Sequence, residues 1–148
     1  VTVVVRPIEA GDRADWERLF GEYGVFYKTA FTPEILERVW SHLQTEGSGL
    51  DALVAELDGS LVGIAMYRSH PDSFTGYIDW YLDDLYTAPE ARGHGVATAL
   101  IEEITRLARA TAPLGTLRWI TADDNERAQR VYDRLATKTN YLTYEVRL

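Results

Sequence analysis

The chain has 148 residues, 15 Lys+Arg against 23 Asp+Glu for a formal net charge of −8, and no cysteine. That length suits one domain over residues 1–148 with a full hydrophobic core. The acidity disfavours non-specific binding to nucleic acid or an anionic membrane and favours cationic partners. Without cysteine there is no disulfide, thiolate metal site or cysteine nucleophile.

In chain order, the β-branched run Thr2 to Pro7 predicts a strand. A helix is expected from Asp12 to Tyr27, with Asp12 able to cap it and Trp16, Leu19, Phe20 and Tyr23 at helical spacing. Thr32-Pro33 reads as a cap followed by proline at the first helical position, opening a second helix to Gln44. Asp58-Gly59 between the apolar runs 53–57 and 61–67 predicts a β-hairpin. After a polar loop, a long strand is expected over Tyr77 to Thr87, a helix over Gly95 to Thr111, and a strand over Leu117 to Thr121. A short helix over Asn125 to Leu135 and a last strand over Leu142 to Arg147 complete the order. The order β-α-α-β-β-β-α-β-α-β describes an α/β domain with a mixed sheet. No apolar run approaches the ~18 residues of a membrane span. The first residues, VTVVVRPIEAGD, lack the pattern of a signal peptide, so a cytoplasmic location is expected.

The segment LYTAPEARGHGVAT carries the most chemistry. A strand runs out at Thr87, the chain turns, and a helix starts within RGHGVAT. The first amides of a helix lack partners inside it and sit at the positive end of the macrodipole. Gly93, Gly95 and Ala97 leave those amides uncovered, and Arg92 adds a fork of donors. Together they form a seat for a phosphate or pyrophosphate. It is not a Walker loop, because no Gly-Lys-Ser/Thr follows, and it is not a dinucleotide fingerprint, because Thr98 stands where a third glycine is needed.

These residues resemble a known family, the GCN5-related N-acetyltransferases. The pyrophosphate motif Arg/Gln-x-x-Gly-x-Gly/Ala is matched by Arg92-Gly93-His94-Gly95-Val96-Ala97. LDDLYTAPEA is similar to the family's fourth strand, and Asn125-Glu126-Arg127-Ala128-Gln129-Arg130-Val131-Tyr132 to its Asn-x-x-Ala-x-x-x-Tyr helix. The closest resemblance is to a subgroup that includes yeast histone and polyamine acetyltransferases. One departure stands out: Leu-Gly-Phe after the last helix is replaced by Leu135-Ala136-Thr137.

The resemblance implies the family's twisted, mostly antiparallel sheet with helices on both faces, and transfer of an acetyl group from acetyl-CoA to a primary amine. It implies that the cofactor is held by Arg92, Gly93, His94, Gly95, Val96, Ala97 and Thr98, with Leu85, Tyr86, Thr87, Asn125, Ala128 and Tyr132 along its arm. A backbone N–H near Leu85 or Tyr86, freed where the fourth strand splays from the fifth, would stabilise the oxyanion. A single donor of this kind is worth roughly 2.7–4 kcal/mol. Tyr132 would protonate the leaving thiolate. Asn125 also suits the N-cap of its helix.

The acceptor amine must lose a proton, and Asp79, Asp83 and Asp84 are the candidate carboxylates. On an ideal strand Asp79 and Asp83 share a face with Leu85, which favours Asp83, although a bulge would reverse that parity. Tyr27 and Phe31, in the aromatic cluster Phe20 to Phe31, are expected at the acceptor, where aromatic walls and carboxylates suit a cationic amine. The acceptor class is a small amine, polyamine, amino acid or basic peptide, and a homodimer is implied by the subgroup. Scattered as they are, His42, His70 and His94 make no metal site. Two other readings stand beside this one: a non-catalytic acyl-CoA sensor of the same fold, and a nucleotide-binding regulatory domain.

Overall fold

The computed structural model describes residues 2–111 and 114–148. β1 (Val3–Pro7) leads through a single 3₁₀ turn at Ala10–Asp12 into α1 (Arg13–Phe26) and α2 (Pro33–Gln44). β2 (Asp51–Leu57), β3 (Ser60–Pro71) and β4 (Ile78–Thr87) follow. A second 3₁₀ turn at Pro89–Ala91 precedes α3 (Val96–Thr111), β5 (Leu117–Arg118) and α4 (Glu126–Leu135). The five strands lie in the order β1-β2-β3-β4-β5, antiparallel except for the parallel β4–β5 pair.

Local chemistry accounts for these elements. Asp58 and Gly59 take positive φ values of 51° and 80°, the conformation that a two-residue hairpin turn requires. The Thr32 hydroxyl caps α2 by accepting the Ile35 N–H at 3.3 Å, with Pro33 behind it. Asp12 departs from expectation. Its carboxylate does not cap α1 but accepts the Glu9 N–H at 2.8 Å and pairs with Arg6, which also holds Glu56.

β3 is buried at seven successive residues, Leu61 to Tyr67, because both faces of the sheet are covered. α3 lies on one face. A Cβ at Gly63 would sit 2.6 Å from Val96 Cγ1 and 3.3 Å from Leu100 Cδ1, so only glycine lets the start of α3 come this close. On the opposite face, Tyr86 reaches α1 and donates to Glu22 Oε2 at 3.1 Å.

β4 and β5 are pinched at one end and open at the other. Only Trp80↔Leu117 and Tyr81↔Arg118 pair. Asp79 clamps this end: its carboxylate accepts the Thr116 N–H at 2.9 Å and Arg118 Nη1 at 2.7 Å. A Cβ at Gly115 would meet the Ile78 carbonyl oxygen at 1.9 Å, so the approach requires glycine. Beyond Tyr81, β4 runs on to Thr87 with no partner on that side among the described residues.

Two expectations are corrected. The strand expected to reach Thr121 is paired only over Leu117–Arg118. The strand expected over Leu142 to Arg147 does not join the sheet: residues 137–148 run without helix, turn or bend, and Tyr141, Leu142, Tyr144 and Val146 are 80–91% exposed. The apolar alternation in that segment is present, but no strand among the described residues pairs with it.

Candidate active site

A cleft of about 550 Å³ opens between the end of α1, the free end of β4, the start of α3 and one side of α4. Its floor is the glycine turn. Gly93 and Gly95 have φ values of 82° and 78°, so the chain can fold back over Arg92 only because neither residue carries a Cβ. The Gly95 carbonyl accepts the Ala99 N–H at 2.9 Å, which makes Gly95 the first turn of α3. Among the described residues, the amides of Gly93 to Thr98 make no hydrogen bond to protein. Arg92 is fixed by its Nε donating to the Thr87 carbonyl at 3.3 Å, and it lines the cleft. His94 turns the other way: its Nδ1 lies 3.2 Å from the Ala91 carbonyl, and its side chain does not line the cleft.

The free edge of β4 supplies a second donor. Ala88 donates to the Val62 carbonyl, so residues 62 and 88 form a hydrogen-bonded pair. By strict alternation Leu85 and Thr87, opposite Ala65 and Gly63, are non-hydrogen-bonded to β3. Their N–H groups point into the gap that β5 leaves open. Of the two expected donors, Leu85 has its amide in the gap, and Tyr86 has its amide in the sheet.

The carboxylates are sorted by one bulge. Met66 faces Asp84 and Tyr67 faces Leu82, which leaves Asp83 as the extra residue on β4. The bulge breaks the expected alternation between Asp79 or Tyr81 and Leu85, while Asp84 keeps the ordinary period of two with Tyr86 and shares its α1 face. Asp83 is tied to Arg68, whose Nε lies 3.1 and 3.2 Å from its two oxygens and whose guanidinium sits 4.7 Å over the Tyr81 ring. Asp79 is the structural clamp. Burial pushes its carboxyl up, but the Thr116 amide and Arg118 more than offset this and hold it below the usual carboxylate range. Asp84 is the carboxylate that faces the α1 tyrosines. Burial pushes it up to about 6, with the Asp83 charge adding to the rise and the Tyr23 hydroxyl opposing it.

Tyr27 lines the cleft and packs edge-on against Tyr23 at 4.9 Å. Phe31 does not line it. Its ring stacks on Phe20 at 4.3 Å and fills the space that a Cβ on Gly24 would take, so it belongs to the core.

α4 closes the other wall. Asn125 Oδ1 accepts the Ala128 N–H at 3.3 Å, the expected N-cap, and both residues line the cleft. Tyr132 packs edge-on against Trp119 at 5.4 Å, and burial, with Tyr27 nearby, pushes its hydroxyl up to about 12. It therefore keeps its proton at neutral pH. Arg127, Val131 and Arg134 also line the cleft and escaped the sequence reading. Their signal was available: positions 127, 131 and 134 share one helix face with Ala128 and Tyr132. The cleft lining thus carries three arginines and no carboxylate, in a chain of net charge −8. No helix among the described residues is long and apolar enough to cross a membrane.

Comparison with known proteins identifies the family. The D-amino-acid N-acetyltransferase HPA3 of Saccharomyces cerevisiae is 34% identical over 147 residues, covering 97% of this chain and 89% of its own. The thialysine N-epsilon-acetyltransferase of Mus musculus is 28% identical, covering 90% and 83%. A ribosomal-protein-alanine N-acetyltransferase from Brucella melitensis biovar Abortus 2308 has the same fold, with a TM-score of 0.83 at 22% identity and full coverage of both chains. Residues 14–136 match the acetyltransferase (GNAT) family. An unpaired glycine turn, a splayed β4 and a match over most of the sequence lead to one conclusion: this chain belongs to the GNAT family and is an acetyltransferase.

Proposed function

We propose that the chain transfers the acetyl group of acetyl-CoA to the primary amine of a small acceptor by direct attack in a ternary complex. The observation that carries this is the make-up of the cleft: unpaired amides with Arg92, Arg127 and Arg134 line it together with Tyr23 and Tyr27, and Asp84 stands behind the lining against Tyr23. The donor set fits the phosphates of CoA, because unpaired helix-start amides and arginines bind phosphate oxygens well. Amides 93–98 and Arg92 would hold the diphosphate, Arg127 and Arg134 would add cationic contacts, and Asn125 and Ala128 would flank the arm. Bound there, acetyl-CoA supplies an acetyl group activated as a thioester.

The chain's own residues do the rest. The Leu85 N–H donates to the oxygen that gains negative charge. Asp84, ionised above about pH 6, accepts a proton from the acceptor ammonium directly or through water. Tyr132 holds a proton for the departing sulfur. The relatives are named for D-amino acids and thialysine, which supports an amino acid as the first acceptor to test.

The test is release of CoA with D- and L-amino acids, thialysine and polyamines as acceptors. Thermal shifts with acetyl-CoA, CoA, ATP and NAD accompany it. Stabilisation by both CoA species and turnover with an amine are expected. CoA binding without turnover on any amine would favour the sensor reading. A shift with ATP or NAD alone would favour the nucleotide reading.

A further inference from the structure

The bulge in β4 brings more than Asp83 to bear on the α1 side of the sheet. Arg68 opposes Tyr81 and Met66 opposes Asp84 in the β3–β4 pair. Opposed residues of an antiparallel pair share a face, and so do residues 66 and 68 of one strand. Asp84 and Tyr81, which strict alternation would send to opposite faces, therefore point the same way. Tyr81 is also opposed by Arg118 in the parallel β4–β5 pair, and Arg118 reaches Asp79, which shares the face of Tyr81. Arg68, Tyr81 and Arg118 thus form a row across β3, β4 and β5. It lies two residues of β3, about 7 Å, from the rung that carries Asp84.

Both arginines are braced, and both keep donors to spare. Arg68 donates through Nε to the Asp83 oxygens at 3.1 and 3.2 Å, and its guanidinium lies 4.7 Å over the Tyr81 ring. Arg118 donates through Nη1 to Asp79 at 2.7 Å. Among the described residues, Arg68 Nη1 and Nη2 and Arg118 Nε and Nη2 make no hydrogen bond. The two side chains are 47% and 58% exposed, so these donors are open to a ligand. A planar fork already held in place loses little freedom when it takes a further carboxylate.

Tyr81 and Arg118 line a second groove, of about 980 Å³, which shares Tyr132 with the cleft. Its charged lining has both signs, Arg118 and Lys138 with Asp123 and Asp133, whereas that of the cleft is arginine alone. A polyamine would meet like charge at the row. A molecule with one cationic and one anionic end finds an opposite charge for each.

We propose that this row is the carboxylate seat of the acceptor, and that the acceptor is an ω-amino acid. Its terminal amine lies at Asp84, Tyr23 and Tyr27, and its carboxylate at Arg68 and Arg118 across the Tyr81 ring. Such a seat presupposes the acetyl transfer to an amine proposed above. Spacing selects the terminal amine. Stacked on Tyr81, Arg68 stays on its own rung, so an α-amine, which sits beside its carboxylate, stops short of Asp84. A lysine-like chain spans the interval.

Steady-state kinetics of the whole chain with acetyl-CoA compare three acceptors: lysine, cadaverine (the diamine that lacks the lysine carboxylate) and alanine. The unmodified chain is expected to favour lysine over cadaverine about 10²-fold in kcat/KM, and lysine over alanine. In Arg68→Gln and in Arg118→Gln the lysine-to-cadaverine ratio is expected to fall about tenfold, mainly through KM for lysine, with Arg68→Lys between the two. A merely structural role would lower both acceptors in step, so an unchanged ratio in either glutamine variant would overturn the seat. A preference of the unmodified chain for cadaverine or for alanine over lysine would overturn it as well. Release of CoA with none of the amines would overturn the transfer reading itself, and the seat with it.

Discussion

The two ends of the cleft are built from different materials. At the diphosphate end the donors are main-chain amides, fixed by two glycines with positive φ, and arginines that need only reach the same wall. At the proposed acceptor end the working groups would be side chains, Tyr23 and Tyr27 from the end of α1 and Asp84 from β4, brought together by the packing of α1 on the sheet. The first end is specified locally, by a few residues in a row. The second depends on tertiary packing. A backbone site tolerates changes around it and fails when its glycines change. A side-chain site is sensitive to register and to pH.

The largest effect should come from attacking the first end. Gly95→Glu forces a side chain onto a left-handed backbone and sets a negative charge against a phosphate, so acetyl-CoA affinity should fall about 10²–10³-fold by calorimetry. The sharpest contrast at the other wall is Tyr132→Phe, which should lower kcat about 10²-fold while leaving acetyl-CoA binding nearly unchanged. Equal losses in binding and turnover would remove Tyr132 from the proton path.

Next comes Asp84→Asn, with an expected loss of about tenfold in kcat/KM at pH 8 and disappearance of the acid limb near pH 6. The same variant has a stability signature. The folded carboxyl titrates at about 6 against an ordinary 3.8, so the native state holds its proton more tightly than the unfolded chain. The stability this provides is full below the ordinary value and is lost as pH rises through about 6. Asp84→Asn should therefore raise Tm at pH 8, and the gain should vanish towards pH 4. Asp83→Asn loosens Arg68 and removes a charge that raises Asp84, so it should keep kcat/KM at pH 8 and move the acid limb to lower pH. The smallest change is expected from Arg134→Ala, about fivefold in acetyl-CoA affinity and reduced further by salt.

The same contrast explains what could be read before folding. The strand, turn and helix around Arg92 to Thr98 are local, and so are the caps at Thr32 and Asn125 and the Asp58-Gly59 turn. Each carries its own conformational requirement in adjacent residues. Alternation puts Asp83 and Asp84 on opposite faces but does not say which face α1 covers, so Asp84 beside Tyr23 is a tertiary fact. Chain neighbourhood points Phe31 to the acceptor, whereas packing against Gly24 draws it into the core. Arg127 and Arg134 were legible as one helix face, but which wall that face meets is a tertiary fact. The last expected strand rests on a period of two in residues 142–147, and alternation alone does not supply a pairing partner, so the segment stays outside the sheet.

Whether the helix-start amides hold a diphosphate is tested most directly by a crystal structure with acetyl-CoA. The diphosphate oxygens should lie within about 3.2 Å of several amides between Gly93 and Thr98, with Arg92 alongside. A diphosphate bound anywhere else on the molecule, with those amides left to solvent, would contradict it.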